Sequence, residues 1–250
     1  SRGSRPALTS VGGQAFTWGH NANEQLGNGN STSTTVPVAV NTNGVLTNKT
    51  IMAVSAAGWH SLALDSAGKV YAWGYNSWGS LGNNTTNNSS IPVAVDTSGV
   101  LFGKNITAIS AGAGFSLALA SDGTLYSWGF NTSGQLGNGT WGSCSNRPVA
   151  VNMSFLPGGD SVTAIAAGGE HTLALTSSGK VYVWGRGDFG RLGNNSTTNV
   201  STPQPVTTSG VLAGKTVTAI AGGAWHSLAL TSDGKLYAWG AGNSGQLGNG

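Results

Sequence analysis

A Trp-Gly pair recurs in register at Trp18, Trp73, Trp128, Trp184 and Trp239, at spacings of 55, 55, 56 and 55 residues. A pair that returns this regularly marks a tandem repeat. Repeats of such length are supersecondary units that bury their apolar faces against their neighbours. The text around each pair returns as well: residues 51–74 read IMAVSAAGWHSLALDSAGKVYAWG, and residues 217–240 read VTAIAGGAWHSLALTSDGKLYAWG. After each Trp-Gly comes a loop ending in Leu-Gly-Asn, at Leu26, Leu81, Leu136, Leu192 and Leu247. A polar stretch then runs to Pro-Val at Pro37, Pro92, Pro148 and Pro205.

Each unit reads as four short strands: a small-residue strand (VTAIAAG), an alternating strand (HSLALTS), an aromatic strand (KLYAWG) and PVAV. Alternation is clearest in the second, where Leu62 and Leu64 share one face and Ser61 and Ala63 the other. Ser232–Lys235 (SDGK) predicts a two-residue type I′ hairpin, because Asp-Gly readily supplies positive φ. Forty-one glycines in 250 residues would suggest disorder, but nine tryptophans and regular runs of Val, Ile, Leu and Ala bury enough surface to offset chain entropy. Four antiparallel strands repeated radially predict an all-β propeller of about 55-residue blades, with the small first strand lining a narrow central channel.

The G-x-H-[ST]-L-A-L strand, the [LV]-Y-x-W-G strand and the G-[QRS]-L-G-N turn, recurring in fixed order, resemble the regulator of chromosome condensation repeat family. The resemblance implies a propeller of typically seven blades, and for function the exchange of guanine nucleotide on a small GTPase. This chain departs in count, with five third strands but four each of the others. Residues 1–13 read as a linker or non-repeat segment, and residues 14–250 as the propeller domain. Four full repeats plus a partial one suggest a ring that is incomplete, or one completed between chains. Unpaired strand edges of that kind invite association.

The repeat also sorts candidate sites. His60, His171 and His226 share one slot, which Phe115 fills in the remaining copy, so they read as structural, together with the five Trp-Gly tryptophans. Asp65, Asp122 and Asp233 fall at hairpin turns, where carboxylates satisfy local amides. No Ser-His-Asp order, phosphate loop or Cys/His ligand spacing appears, so neither a catalytic residue, a metal nor a cofactor is expected. Cys144 is the single cysteine and builds no disulfide framework. Eleven basic residues against eight acidic give a formal charge of +3, too thin for the clustered positive stripe of a nucleic-acid binder. No apolar run approaches the roughly 18 residues of a membrane span.

Positions that vary while their neighbours stay fixed are the candidate contact residues. Following Trp-Gly stand His20, Tyr75, Phe130, Arg186 and Ala241; preceding the histidine slot stand Trp59, Gly114, Glu170 and Trp225. Trp78 and Trp141 are further loop-borne irregularities, and Arg186, Asp188 and Arg191 put three charges in one loop, including an Arg-Gly-Asp triplet. Trp59, Tyr75, Trp78, Phe130, Trp141, Arg186, Asp188, Arg191 and Trp225 are therefore the expected protein-binding residues, aromatic and arginine side chains being typical binding anchors. Asn30, Asn48, Asn105, Asn131 and Asn138 stand in glycosylation sequons. The expectation is a non-enzymatic, extracellular or cell-surface bacterial scaffold that binds a protein partner or copies of itself. A homo-oligomer or filament would form through the terminal blades. Nucleotide exchange, or inhibition of a secreted enzyme by one propeller face, are the alternatives.

Overall fold

The computed structural model describes residues 13–154 and 156–249, together with the backbone pairing of Ala7–Leu8. Five antiparallel sheets follow one another along the chain. Strands β1 (Ala7–Leu8), β2 (Ala15–Gly19) and β3 (Thr34–Ala39) form the first. The second comprises β4 (Ile51–Ala56), β5 (His60–Asp65), β6 (Val70–Gly74) and β7 (Ser89–Ala94). The third comprises β8 (Ile106–Ala111), β9 (Phe115–Ala120), β10 (Leu125–Gly129) and β11 (Ser145–Ala150). The fourth has β12 (Val162–Ala167), β13 (His171–Thr176), β14 (Val181–Gly185) and β15 (Val200–Pro205). In the fifth are β16 (Val217–Gly222), β17 (His226–Thr231) and β18 (Leu236–Gly240).

The small first strands lie against one another from sheet to sheet. Ala111 N donates to Ser55 Oγ, and Ala167 N to Ser110 Oγ, both at 2.9 Å. Short hydroxyl and methyl side chains are what such close approach permits. The second strands of the second, third and fourth sheets are buried on both faces, as where Leu62 and Leu64 join one apolar cluster and Ala63 joins another with Tyr71 and Trp73. The alternation in the sequence thus separates two sheet-to-sheet seams instead of core from solvent.

One carbonyl locks each seam. Trp73 Nε1 donates to Gln25 O, Trp128 to Ser80 O, Trp184 to Gln135 O and Trp239 to Arg191 O, each at 2.9 Å. The same four oxygens accept the hydroxyls of Ser61, Ser116, Thr172 and Ser227. In the first four Leu-Gly-Asn turns the glycine lies directly beneath the incoming indole. A Cβ on Gly137 would stand 2.5 Å from Trp184 Nε1, and φ there is +67°. Buried asparagines hold these turns from inside, Asn21, Asn76 and Asn131 accepting the amides of Leu26, Leu81 and Leu136.

The histidines act across the same seams. His60 Nε2 lies 2.8 Å from Ser116 Oγ, and His171 Nε2 lies 2.9 Å from Ser227 Oγ. Each serine spends its proton on the seam carbonyl, so the ring nitrogen is the donor and both rings are the Nε2–H tautomer. Burial drives their pKa values down, to about 4 for His60 and about 3 for His171, where nearby Arg191 adds to the effect.

One expectation is corrected. Positive φ occurs only at the hairpin glycine, as at Gly123 and Gly234, and not at Asp122 or Asp233. Ala120 N donates to Thr124 O and Gly123 N to Ala120 O. The hairpins of the second to fifth sheets are therefore three-residue loops with the glycine in the left-handed position, not two-residue type I′ turns. In the segment 1–13, read as a linker or non-repeat segment, Ala7, Leu8 and Gly13 make pairings that the repeat makes elsewhere. Ala7 and Leu8 pair with Phe16 and Ala15 as Ala63 and Leu64 pair with Tyr71 and Val70, and Gly13 O accepts Ile51 N as Gly68 O accepts Ile106 N. Its other residues lie outside those described.

Candidate functional site: the loop end of the sheets

Antiparallel order sends the first-to-second and third-to-fourth loops to one end of every sheet, opposite the hairpins. Tyr75 N donates to Trp59 O, Phe130 N to Gly114 O, Arg186 N to Glu170 O and Ala241 N to Trp225 O. Backbone bonds thus hold the residue before the histidine slot beside the residue after Trp-Gly. Their side chains, uninvolved in those bonds, are free to differ from sheet to sheet.

Three of them, Trp59, Tyr75 and Phe130, join Trp78 in an aromatic cluster across the second and third sheets. Trp78 meets Trp59 at 4.8 Å, Phe130 at 4.8 Å and Tyr75 at 5.1 Å between ring centroids, and Trp59 meets Tyr75 at 5.7 Å. Trp78 is the one ring of the four that touches the other three. It lies over Gly114, where a Cβ would come within 2.5 Å of its Cε3. The preceding turn makes room too. Gln25 spans its seam to Gly58 O, whereas Ser80 in the same position turns back to Tyr75 O at 2.8 Å. Trp59 stays 36% exposed, and Tyr75, Trp78 and Phe130 are half-buried.

The neighbouring sector is ionic. Arg186 meets Glu170 Oε1 at 3.2 Å and Asp188 Oδ2 at 2.7 Å, and Ser133 Oγ donates to Glu170 Oε2 at 3.3 Å. The hydrogen bond from Arg186 holds the Asp188 carboxyl below its usual range, and the guanidinium is raised in turn. The Arg-Gly-Asp triplet is therefore folded on itself, its two charges paired. Beyond it Trp225 is 56% exposed, while Trp141 stands on a separate exposed loop.

Arg191 does not belong to this surface. It is 1% exposed; its Nε donates to Asp188 O, its guanidinium approaches Ala224 O, and its own carbonyl is the lock of the last seam. It occupies the turn position of Gln25 and Gln135 and does a glutamine's spanning work with a longer side chain. Asn131, a sequon residue, is likewise buried within its turn. Sequence reasoning also passed over the seating of Trp78 on Gly114; a missing side chain opposite an extra aromatic one was its only signal. Among the described residues no three His, Cys, Asp or Glu gather as metal ligands, and no helix is long and apolar enough to cross a membrane.

Residues 4–250 match the RCC1-like domain. Human E3 ubiquitin-protein ligase HERC2 is 35% identical over 98% of this chain, which spans 5% of that protein. The ultraviolet-B receptor UVR8 of Arabidopsis thaliana is 32% identical, the match covering 98% of this chain and 52% of the receptor. Among solved structures, yeast RCC1 (Prp20) bound to Kap60 superposes with a TM-score of 0.82 at 25% identity, over 99% of this chain and 56% of that one. Human WBSCR16 gives 0.81 at 25% identity, over 92% and 56%. The chain thus spans about half the length of these solved relatives, and far less of the ligase.

Proposed function

This chain belongs to the RCC1-like domain family, and from that premise we propose that it is a non-enzymatic propeller that binds a protein partner through its loop end. The observation that carries the reading is the half-exposed cluster of Trp59, Tyr75, Trp78 and Phe130, built from positions that the repeat leaves free. Large aromatic side chains with a polar surround have the make-up of a binding hot spot. Yeast RCC1, similar in structure, was solved bound to Kap60, which supports a protein as the ligand. A location outside the cell or on its surface is part of the proposal, to be tested by fractionating the producing organism.

The experiment is a peptide-display selection against the intact chain, with affinities of the selected binders measured for Trp59→Ser and Phe102→Ser. Phe102 is 80% exposed on the connection at the hairpin end and serves as the control. Nucleotide exchange is a second reading, supported by a Prp20 structure reported with its binding to Gsp1p and histones. Release of labelled GDP from a small GTPase, with and without this chain, decides it.

A further inference from the structure

In the aromatic cluster one ring behaves as a ligand of the other three. Trp78 is carried by the turn that follows β6, and its indole is in contact with Trp59, Tyr75 and Phe130 and is seated on the bare backbone of Gly114. The turn position of Trp78 holds Asn23, Ser133 and Ser244 in three other repeats and Phe189, which is 58% exposed, in the fourth, so the blade does not require a packed aromatic residue there. Gly114 takes the place that Trp59, Glu170 and Trp225 fill with side chains, leaving a hollow with aromatic walls. Among the described residues the cation over a ring is Arg191 on Phe189, outside this cluster, and in the neighbouring sector Arg186, Glu170 and Asp188 are paired with one another. Such a hollow selects for a flat apolar ring and not for charge.

We propose that the hollow over Gly114, walled by Trp59, Tyr75 and Phe130, is a receptor slot for an aromatic side chain on a protein partner, and that Trp78 is its resident occupant, which the partner displaces. The proposal rests on the loop end being the contact face, and it adds the chemistry of the partner and a built-in competitor. A partner that only packed against the outside of the cluster would lose affinity when Trp78 is removed. One that enters the slot gains affinity, because displacement no longer opposes it.

The test uses the intact chain and Trp78→Ser, a residue that the same turn tolerates at Ser133 and Ser244. The probe is N-acetyltryptophanamide, followed by calorimetry and by its effect on Tm. The variant should bind the probe at least about tenfold tighter than the unaltered chain, a modest gain for an indole entering an aromatic site. Adding Trp59→Ala should remove the gain. If the variant takes up no probe, or takes it equally well without Trp59, the slot is refuted. Should Trp78→Ser not fold, NMR of the unaltered chain decides. A tryptophan peptide must shift the Gly114 amide and the Trp78 indole proton, and unchanged signals at saturating peptide refute the slot. Selected binders that need Trp59 while the slot takes no probe would leave the contact face standing and overturn this inference alone. Probe uptake with binders indifferent to Trp59 would do the reverse.

Discussion

His60 Nε2 lies 2.8 Å from Ser116 Oγ, across the seam between the second and third sheets, and that serine donates onward to Ser80 O. His171 repeats the relay to Ser227 and Arg191 O two sheets later. Neither Nδ1 atom has a partner, so a second proton on either ring would be buried without an acceptor. The chain should therefore be acid-sensitive well above the carboxylate range. With folded pKa values of about 4 and about 3 against 6.5, the native state binds fewer protons than the unfolded state, so stability is present above pH 6.5 and falls as pH drops towards 4. For His60 the loss is on the order of 3 kcal/mol.

Phe115 fills the same slot over Gly112, and Gly168 provides the same clearance under His171. His171→Phe should fold and should reduce proton uptake on unfolding at pH 5 from about two to about one. Urea titrations at pH 5 and 7 read this directly, and an unchanged difference between them would contradict the relay.

Gly137→Ala tests the indole seat. Its Cβ would stand 2.5 Å from Trp184 Nε1 in a backbone with φ +67°, so a loss of about 2–5 kcal/mol is expected. Gly103→Ala is the comparison: φ is +71°, but nothing lies within 4 Å, and the backbone term alone should cost about 1 kcal/mol. Similar Tm losses in the two variants would mean that the seat is not tight.

Arg191→Gln should be nearly neutral, within about 1 kcal/mol, because Gln25 and Gln135 occupy the same turn position. Arg191→Ala removes the spanning group from a buried site and should cost about 2 kcal/mol. Chemical denaturation of the pair checks both.

Much of this architecture was legible because the repeat averages out local ambiguity: five Trp-Gly strands in fixed register announce themselves where one would not. Ala7 and Leu8 escaped because 11 residues separate Ala7 from Trp18, against 10 from Ala63 to Trp73, and the hairpin text between is altered. The histidine partners lie 56 residues away, beyond any local pattern. Arg191 read as a surface charge because sequence cannot show that its turn dives under the next sheet. The aromatic contact positions were visible as variation between copies. That Trp78 and Gly114 form one unit was not, since a glycine advertises no partner.

The most direct test of the loop-end account is the affinity of display-selected protein binders for the Trp59→Ser chain relative to Phe102→Ser. The account predicts at least about a tenfold loss for Trp59→Ser, the scale of one hot-spot residue, and no change for Phe102→Ser. Equal affinity for Trp59→Ser and the unaltered chain, or a loss confined to Phe102→Ser, would contradict it and move the contact surface away from the loop end.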